Sequence, residues 1–474
     1  MHAKALAIVF LLLATGIALT VTAPPAQGAT RINGQLVEES GPTSALGGGD
    51  HVFVRFGTDA AFGVVYGTTA NPNNIYLVAI KARYLGVAQV VDQSGRSVAE
   101  NRSIKIYTLY AVKLDSLVEF RDLNGNSIAD YARAYNATTH RFSNYINRGD
   151  TLYKKVDLNT NWTASPVVRT NDTSNRSWTF NLTAQNLAYT AVANYSGTVT
   201  GTLPMVRFTF HLNASLDQVN NTMVPQWQIM VGTVGGRTVV TNISRMADLT
   251  VSGNVVHYNL KWDQEITGWT FEPGNTAGNA HRILLEVGAI VGNWIPAALV
   301  DAWFETRVMD RMGETGTAQY TTAAGAQTSN ESSGTYAAAR RLQNPAVDFG
   351  GNWTRIARLE WVGTSVVDGV NRPVFGQIVA GLRFATLHDG NLFAGFVLLA
   401  GLSFRGGATI VHDPTVSSDV QADLALPGTT AAGPAPIFLA AVGAVVVIAA
   451  LLAIAFLVRK RRKKDELPPP PPDE

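Results

Sequence analysis

Apolar and polar residues alternate with a period of two along many stretches of this chain, the pattern of a strand that turns one face to a core. In "VRFTFHLNA" Val206, Phe208, Phe210 and Leu212 share one face, and Arg207, Thr209, His211 and Asn213 share the other. "WTFNLTA" sets Trp178, Phe180 and Leu182 against Thr179, Asn181 and Thr183. "VHYNLKW" sets Val256, Tyr258, Leu260 and Trp262 against His257, Asn259 and Lys261. Further strand-like runs cover 51–56, 75–85, 103–114, 225–234, 355–362, 377–387 and 393–404, many of them separated by Gly, Asn and Asp clusters such as "DQSGR" and "LHDGNL". The pattern predicts a mainly β, antiparallel, sandwich-like fold, and the length leaves room for two β domains, 29–205 and 206–425. The exception is 282–312, where a strand-like start gives way after Pro296 to apolar residues at helical spacing, so a helix is expected over 295–312.

Unbroken apolar runs at the two ends change the picture from a globular protein to an anchored one. Residues 1–28 read as a secretory signal: Lys4, an apolar stretch over 5–22, and the small residues "AQG" before a cleavage point near Gly28. Residues 437–458 carry no charge and are long enough to cross a bilayer as one helix. "RKRRKK" at 459–464 follows at once, and such a cluster stays on the cytoplasmic side. The expected product is a single-pass membrane protein with its N-terminal bulk outside, a linker at 426–436, and a basic and Pro-rich cytoplasmic tail at 459–474. The linker resembles a sortase signal at Leu426, Pro427 and Thr429, but Thr430 stands where that motif has Gly.

Composition narrows the function. Lys and Arg number 37 against 35 Asp and Glu, with most of the basic excess in the tail, so the exterior is near neutral and offers no electrostatic footprint for nucleic acid. There is no cysteine, so an exported chain of this size holds together without disulfides. Asn-X-Ser/Thr occurs at Asn101, Asn136, Asn161, Asn171, Asn175, Asn181, Asn194, Asn213, Asn220, Asn242, Asn330 and Asn352, more often than composition alone generates. Asn181 and Asn213 fall on the polar faces of their strands, where a glycan has room.

Catalytic motifs are scarce. No Cys nucleophile, HExxH, GxSxG, P-loop or dinucleotide fingerprint occurs. His388-Asp389 and His412-Asp413 are adjacent pairs, which a strand points to opposite faces, so they read as turn and strand-end residues. "RGD" at 148–150 is too short to imply a receptor.

One stretch carries metal chemistry. In "RDLNGNSIADY" Asp122, Asn124 and Asn126 stand at alternate positions, the Ile128 carbonyl falls at the seventh and Asp130 at the ninth, the spacing with which short loops offer oxygens to Ca²⁺. These nine residues resemble the calcium loops of thrombospondin type 3 and dockerin-like modules. Ser127 replaces the usual Gly, and Arg133 stands where an EF-hand has its bidentate Glu, so the resemblance implies a weak, structural Ca²⁺ site that a remote acid such as Asp150, Asp115 or Glu119 would complete. The alternative is an Asn-Gly hairpin turn with solvated acids.

As a whole the chain resembles the membrane-anchored surface glycoproteins of archaea: signal peptide, Thr- and Asn-rich β exterior with many sequons, linker, one helix, basic tail. That resemblance implies a structural, adhesive or ligand-binding envelope protein with other envelope proteins or glycans as partners. A surface-anchored hydrolase acting on polysaccharide or peptide, and a solute-binding receptor, are the competing readings.

Overall fold

The computed structural model of the chain describes residues 30–32, 36–43, 45–56, 59–99, 102–136, 141–171, 175–192, 195–234, 237–273, 281–295, 317–329, 339–350, 355–388 and 391–422. The expected signal, linker, membrane helix and tail lie outside them, as does the helix expected over 295–312 beyond Ile295. Among the described residues no helix is long and apolar enough to cross a membrane.

The described chain is mainly antiparallel β, in two large sheets and one two-stranded ribbon. The first sheet runs Thr30–Ile32, Leu36–Thr43, Gly49–Phe56, Ala60–Tyr66, Ile75–Val91, Arg102–Arg121, His281–Ile295, Asn391–Arg405, Phe375–His388 and Arg340–Arg341. The second runs Thr163–Ala164, Asn175–Ala188, Thr202–Val224, Leu249–Thr267, Pro414–Ala422, Arg355–Trp361, Ala346–Gly350, Thr317–Thr322 and Gly325–Ser329. Gln226–Val234 departs from the antiparallel rule by pairing parallel to the end of Ile75–Val91.

The alternation in the sequence is what builds the sandwich. Phe180, Phe210 and Trp262 stand opposite one another on three neighbouring strands and are buried, while Asn181, Thr209 and Asp263 form the outward row beside them. The two sheets close on a shared core. The Phe62 ring from the first stacks on Tyr258 from the second at 4.8 Å between centroids, and Tyr110 meets Phe349 at 5.1 Å. Packed aromatic pairs of this kind add stabilisation beyond the apolar area they bury.

The boundary expected at 205/206 falls inside the strand Thr202–Val224. Strands from both expected segments pair within each sheet and contribute to one continuous core. Period-two patterning cannot anticipate this, because it says which face is buried and not which strand lies alongside.

The outer face of the first sheet is also covered. Between Arg102–Arg121 and Thr151–Asp157 the chain makes an excursion that includes the ribbon Tyr131–Asn136 with Arg141–Asn147. Ala129, Tyr131 and Tyr145 of that excursion pack on Val118, Phe120, Leu152, Leu284, Val379 and Leu399 of the sheet. The loop singled out by its Asp and Asn spacing opens this excursion.

Candidate functional site

The 122–130 loop is wound by its own side chains. Both Asp122 oxygens accept backbone N–H groups, from Gly125 and Ser127 at 2.8 Å each. Asn124 Oδ1 accepts from Asn126 N at 3.0 Å and Asn126 Oδ1 from Ile128 N at 2.9 Å, two successive Asx turns. Ser127, where calcium loops usually carry Gly, adopts the left-handed conformation with φ 68°, and Gly125 does so at φ 73°. The Asp and Asn pattern therefore specifies the turn as well as offering oxygens.

Of the three remote acids considered, the structure brings one to the loop. Asp150 accepts from Leu123 N at 2.9 Å and Asp130 N at 2.8 Å, tying both ends of the loop together. Burial raises its carboxyl pKa, and the charges of Asp130 and Asp122 push the same way against the lowering effect of those N–H bonds. Three carboxylates thus share one neighbourhood, and a cation would relieve that repulsion. The buried Asp150 also removes "RGD" from consideration as an exposed recognition tripeptide.

The ligand set is not open in this conformation. Asp130 Oδ2 accepts both the Asn124 and Asn126 Nδ2 groups, at 2.5 and 2.9 Å. A metal and these amides would compete for that oxygen, although each Asn Oδ1 keeps a second lone pair. Among the described residues no group of three or more Asp, Glu and His side chains is placed to hold a metal ion, so a calcium site here needs the amides and the Ile128 carbonyl.

The loop is docked on the sheet through residues far away in sequence. Gln377 accepts from Ala129 N at 2.8 Å and donates to Ala129 O at 3.1 Å, and Arg341 Nη1 donates to Asn126 O at 3.1 Å.

Asp115 and Glu119, the other acids considered, belong to two buried polar networks, the first beneath the excursion and the second on the core side of the sheet beside Trp269 and Tyr189. In the first, Glu286 accepts from Ser116 Oγ at 2.5 Å, Tyr131 OH at 2.5 Å, Tyr145 OH at 2.6 Å and Arg133 Nη1 at 2.7 Å. Burial and the nearby Glu286 charge raise the pKa of both tyrosines far above the usual range, so they stay as donors. Asp115 flanks this network, 3.4 Å from Arg133 and bonded to Lys113. Burial alone would raise its pKa, but these two cations hold it down to about 2. In the second network, the buried Lys154 pairs with Glu272 at 2.9 Å and Glu119 at 3.7 Å beside the Tyr189 ring, while Trp269 Nε1 and Glu272 N donate to Glu119. These carboxylates are committed to internal donors and form no open acid pair. Arg133, the residue that spoils an EF-hand, has its partner in Glu286.

Five of the twelve sequon asparagines have described side chains. Asn161, Asn213, Asn220 and Asn242 are exposed and Asn181 is half-buried. Asn101, Asn194, Asn330 and Asn352 lie outside the described residues, and Asn136, Asn171 and Asn175 lie on described strands. His412 is buried at the end of Thr409–His412, its Nε2 2.8 Å from Val362 O, while Asp413 turns away to Lys261. The adjacent pair does not converge.

No protein-family model, curated protein or solved structure matches this chain. Its function is therefore argued from its own residues. Those the sequence did not single out are Gln377, Glu286, Arg341 and Arg282. The available signal was a charged residue inside an apolar run, at Arg282 and Glu286 in "RILLEVG", both in phase with Leu284.

Proposed function

We propose that this chain is a single-pass, membrane-anchored surface glycoprotein whose β exterior is a non-catalytic scaffold, stapled by Ca²⁺ at the 122–130 loop and facing other envelope proteins or glycans. The observation that carries the reading is the placement of the sequons. Asn181 and Asn213 lie on adjacent strands of the second sheet, on the face away from the core, and the other three with described side chains are exposed. A glycan attached at any of these positions leaves the packing intact.

The calcium reading is supported by Asp150 lying within reach of the charges of Asp122 and Asp130, beside a loop already wound in Asx turns. Asp122, Asn124, Asn126 and Asp130 would give side-chain oxygens and Ile128 its carbonyl. The ion would supply positive charge to a strained carboxylate group, a structural role with no chemistry on a substrate. With amides in place of acids at two positions, affinity belongs in the weak extracellular range, on the order of 10⁻⁴ to 10⁻³ M. The internal commitment of Glu286, Glu119 and Glu272 favours the scaffold over the hydrolase reading, since a glycosidase needs two carboxyl groups facing a substrate.

The deciding experiment is glycopeptide mass spectrometry of the protein purified from its native membrane, with protease shaving of intact cells. Glycans on Asn181 and Asn213, and release of peptides from 30–422, are expected. Unmodified peptides at both positions would sink the glycoprotein reading, and protection of the whole chain from external protease would sink the topology.

A further inference from the structure

At the end of the first sheet next to the 122–130 loop, arginines gather without acids to match them. Arg282 and Arg405 stand directly opposite each other on adjacent strands, which places both on the face that carries Leu284. Ser403 and Phe375 are the next opposed pair on that face. Arg282 is 4% exposed. Its Nε donates to Ser403 Oγ at 3.1 Å, and its Nη2 is buried with no hydrogen-bond partner. The guanidinium groups of Arg282 and Arg341 both pack on the Phe375 ring, 5.3 and 4.1 Å from its centroid.

A buried charge is ordinarily paired, and a buried donor is ordinarily bonded. Arg282 is neither. Among the described residues no carboxylate lies within ion-pair distance of Arg282, Arg341 or Arg405, and Asp122, the acid whose charge acts on Arg282, is occupied by two backbone N–H groups. Burial, together with the positive charges of Arg341 and Arg405, pulls the Arg282 pKa down to about 10, an unusual state for a guanidinium. The contrast with Arg133 is instructive: it is equally buried but carries a Glu and an Asp within reach.

Beside this cluster lies an open groove of about 600 Å³ lined by Arg341, Phe375, Trp361, Pro345, Gln343 and Asn344, among others. Aromatic faces, side-chain amides and an arginine are the groups that hold a sugar ring bearing a carboxylate: the ring lies on the aromatic surface, its hydroxyls meet the amides, and the acid takes the guanidinium. The groove wall depends on Gly376, because a Cβ there would sit 2.2 Å from the Trp361 indole.

We infer that this groove binds an acidic polysaccharide, with Arg341 in its wall receiving a carboxylate and the neighbouring Arg405 and buried Arg282 adding positive charge from beside it. The groove adjoins the 122–130 loop, which Arg341 also contacts through Asn126 O, but the inference does not depend on calcium binding there or on the sequons. A polyanion in the groove would supply the negative charge that the three arginines lack.

The test is calorimetric titration of the full chain in detergent with three probes: an oligogalacturonate, a neutral galactose oligomer of equal length, and inorganic sulfate. A chelator is present throughout, so that calcium binding by either partner plays no part. Binding of the oligogalacturonate and not of the neutral oligomer is expected, weakened about tenfold or more in Arg341→Gln, the loss of one charge-assisted pair, and by less in Arg405→Gln. Arg282→Met should also weaken this binding, by no more than Arg341→Gln does, while leaving the ligand-free melting temperature unchanged or raised, because an uncompensated buried charge is removed. Equal binding of the neutral oligomer, sulfate binding without oligogalacturonate binding, or no binding at all would each overturn the proposal. So would an Arg282→Met variant that melts well below the parent, which would mark the arginine as part of the packing alone.

Discussion

Glu286 offers the most direct test of how the excursion is held to the sheet. The carboxylate is fully buried and accepts four donors from Ser116, Tyr131, Tyr145 and Arg133. In Glu286→Gln the shape stays but the charge goes, and one end of the new amide faces donors with a donor of its own. Leaving Arg133 without its nearest anion costs about 3–5 kcal/mol by the usual size of a broken buried pair. Each hydroxyl left unbonded adds about 1–3 kcal/mol. Asp115, 3.4 Å from Arg133, recovers a little of this. A net loss of about 4–6 kcal/mol is expected, against a typical domain stability of about 5–15 kcal/mol. Guanidinium unfolding followed by tryptophan fluorescence measures it as a lower midpoint at unchanged slope, with far-ultraviolet circular dichroism reporting that the sheets are retained. Arg133→Met in the same background completes a double-mutant cycle and should recover about 3 kcal/mol, because the two charges are then both absent. A loss below about 1 kcal/mol for Glu286→Gln, or strict additivity in the cycle, would refute the claim that this network clamps the excursion.

Three further outcomes follow from particular residues. With a dissociation constant near 1 mM, 10 mM Ca²⁺ should add about 1.4 kcal/mol. Spread over roughly 400 residues this raises the melting temperature by about 2 °C, and Asp122→Ala should abolish the rise; a flat response in the parent refutes the staple. Asp115 has a folded pKa of about 2, below its ordinary value of 3.8, so its contribution is fully present above about pH 4 and is lost as pH falls through about 2. Allowing for its partial exposure this amounts to roughly 1–2 kcal/mol, and Lys113→Met should shrink it in acid titrations of stability. Gly67→Ala would bring a Cβ within 2.1 Å of Asn73 N and 2.3 Å of Thr160 O, parting the backbone bonds between Asn73 and Thr160, and should lower the melting temperature by several degrees. An unchanged melting temperature there would mean the two segments separate freely.

Local chemistry was legible in the sequence where one residue's environment follows from its neighbours. The strand phases at 178–182, 206–212 and 256–262 match the buried faces, because alternation records which side meets the core. Ala60–Tyr66 was not legible: every residue in it is buried, so there is no alternation to see. The winding of 122–130 was readable from its Asp and Asn spacing, but its docking on Gln377 and Arg341 spans more than two hundred residues and leaves no local trace. Arg282 and Glu286 are inside because the excursion roofs an outer sheet face that alternation alone assigns to solvent.

The order in which the strands are made differs from the order in which they pair. Arg102–Arg121 finds Ile75–Val91 on one side at once, but its other neighbour is His281–Ile295, which in turn waits for Asn391–Arg405. Leu249–Thr267 likewise waits for Pro414–Ala422. During synthesis, therefore, neither sheet is complete until almost all of residues 30–422 have emerged, and contacts this distant form slowly. Under the export proposed above, that delay would be an advantage, since no early half closes into a sandwich too bulky for a translocation channel. The same delay leaves long unpaired edges exposed while the sheets assemble, so the newly made chain is more open to aggregation than the completed fold.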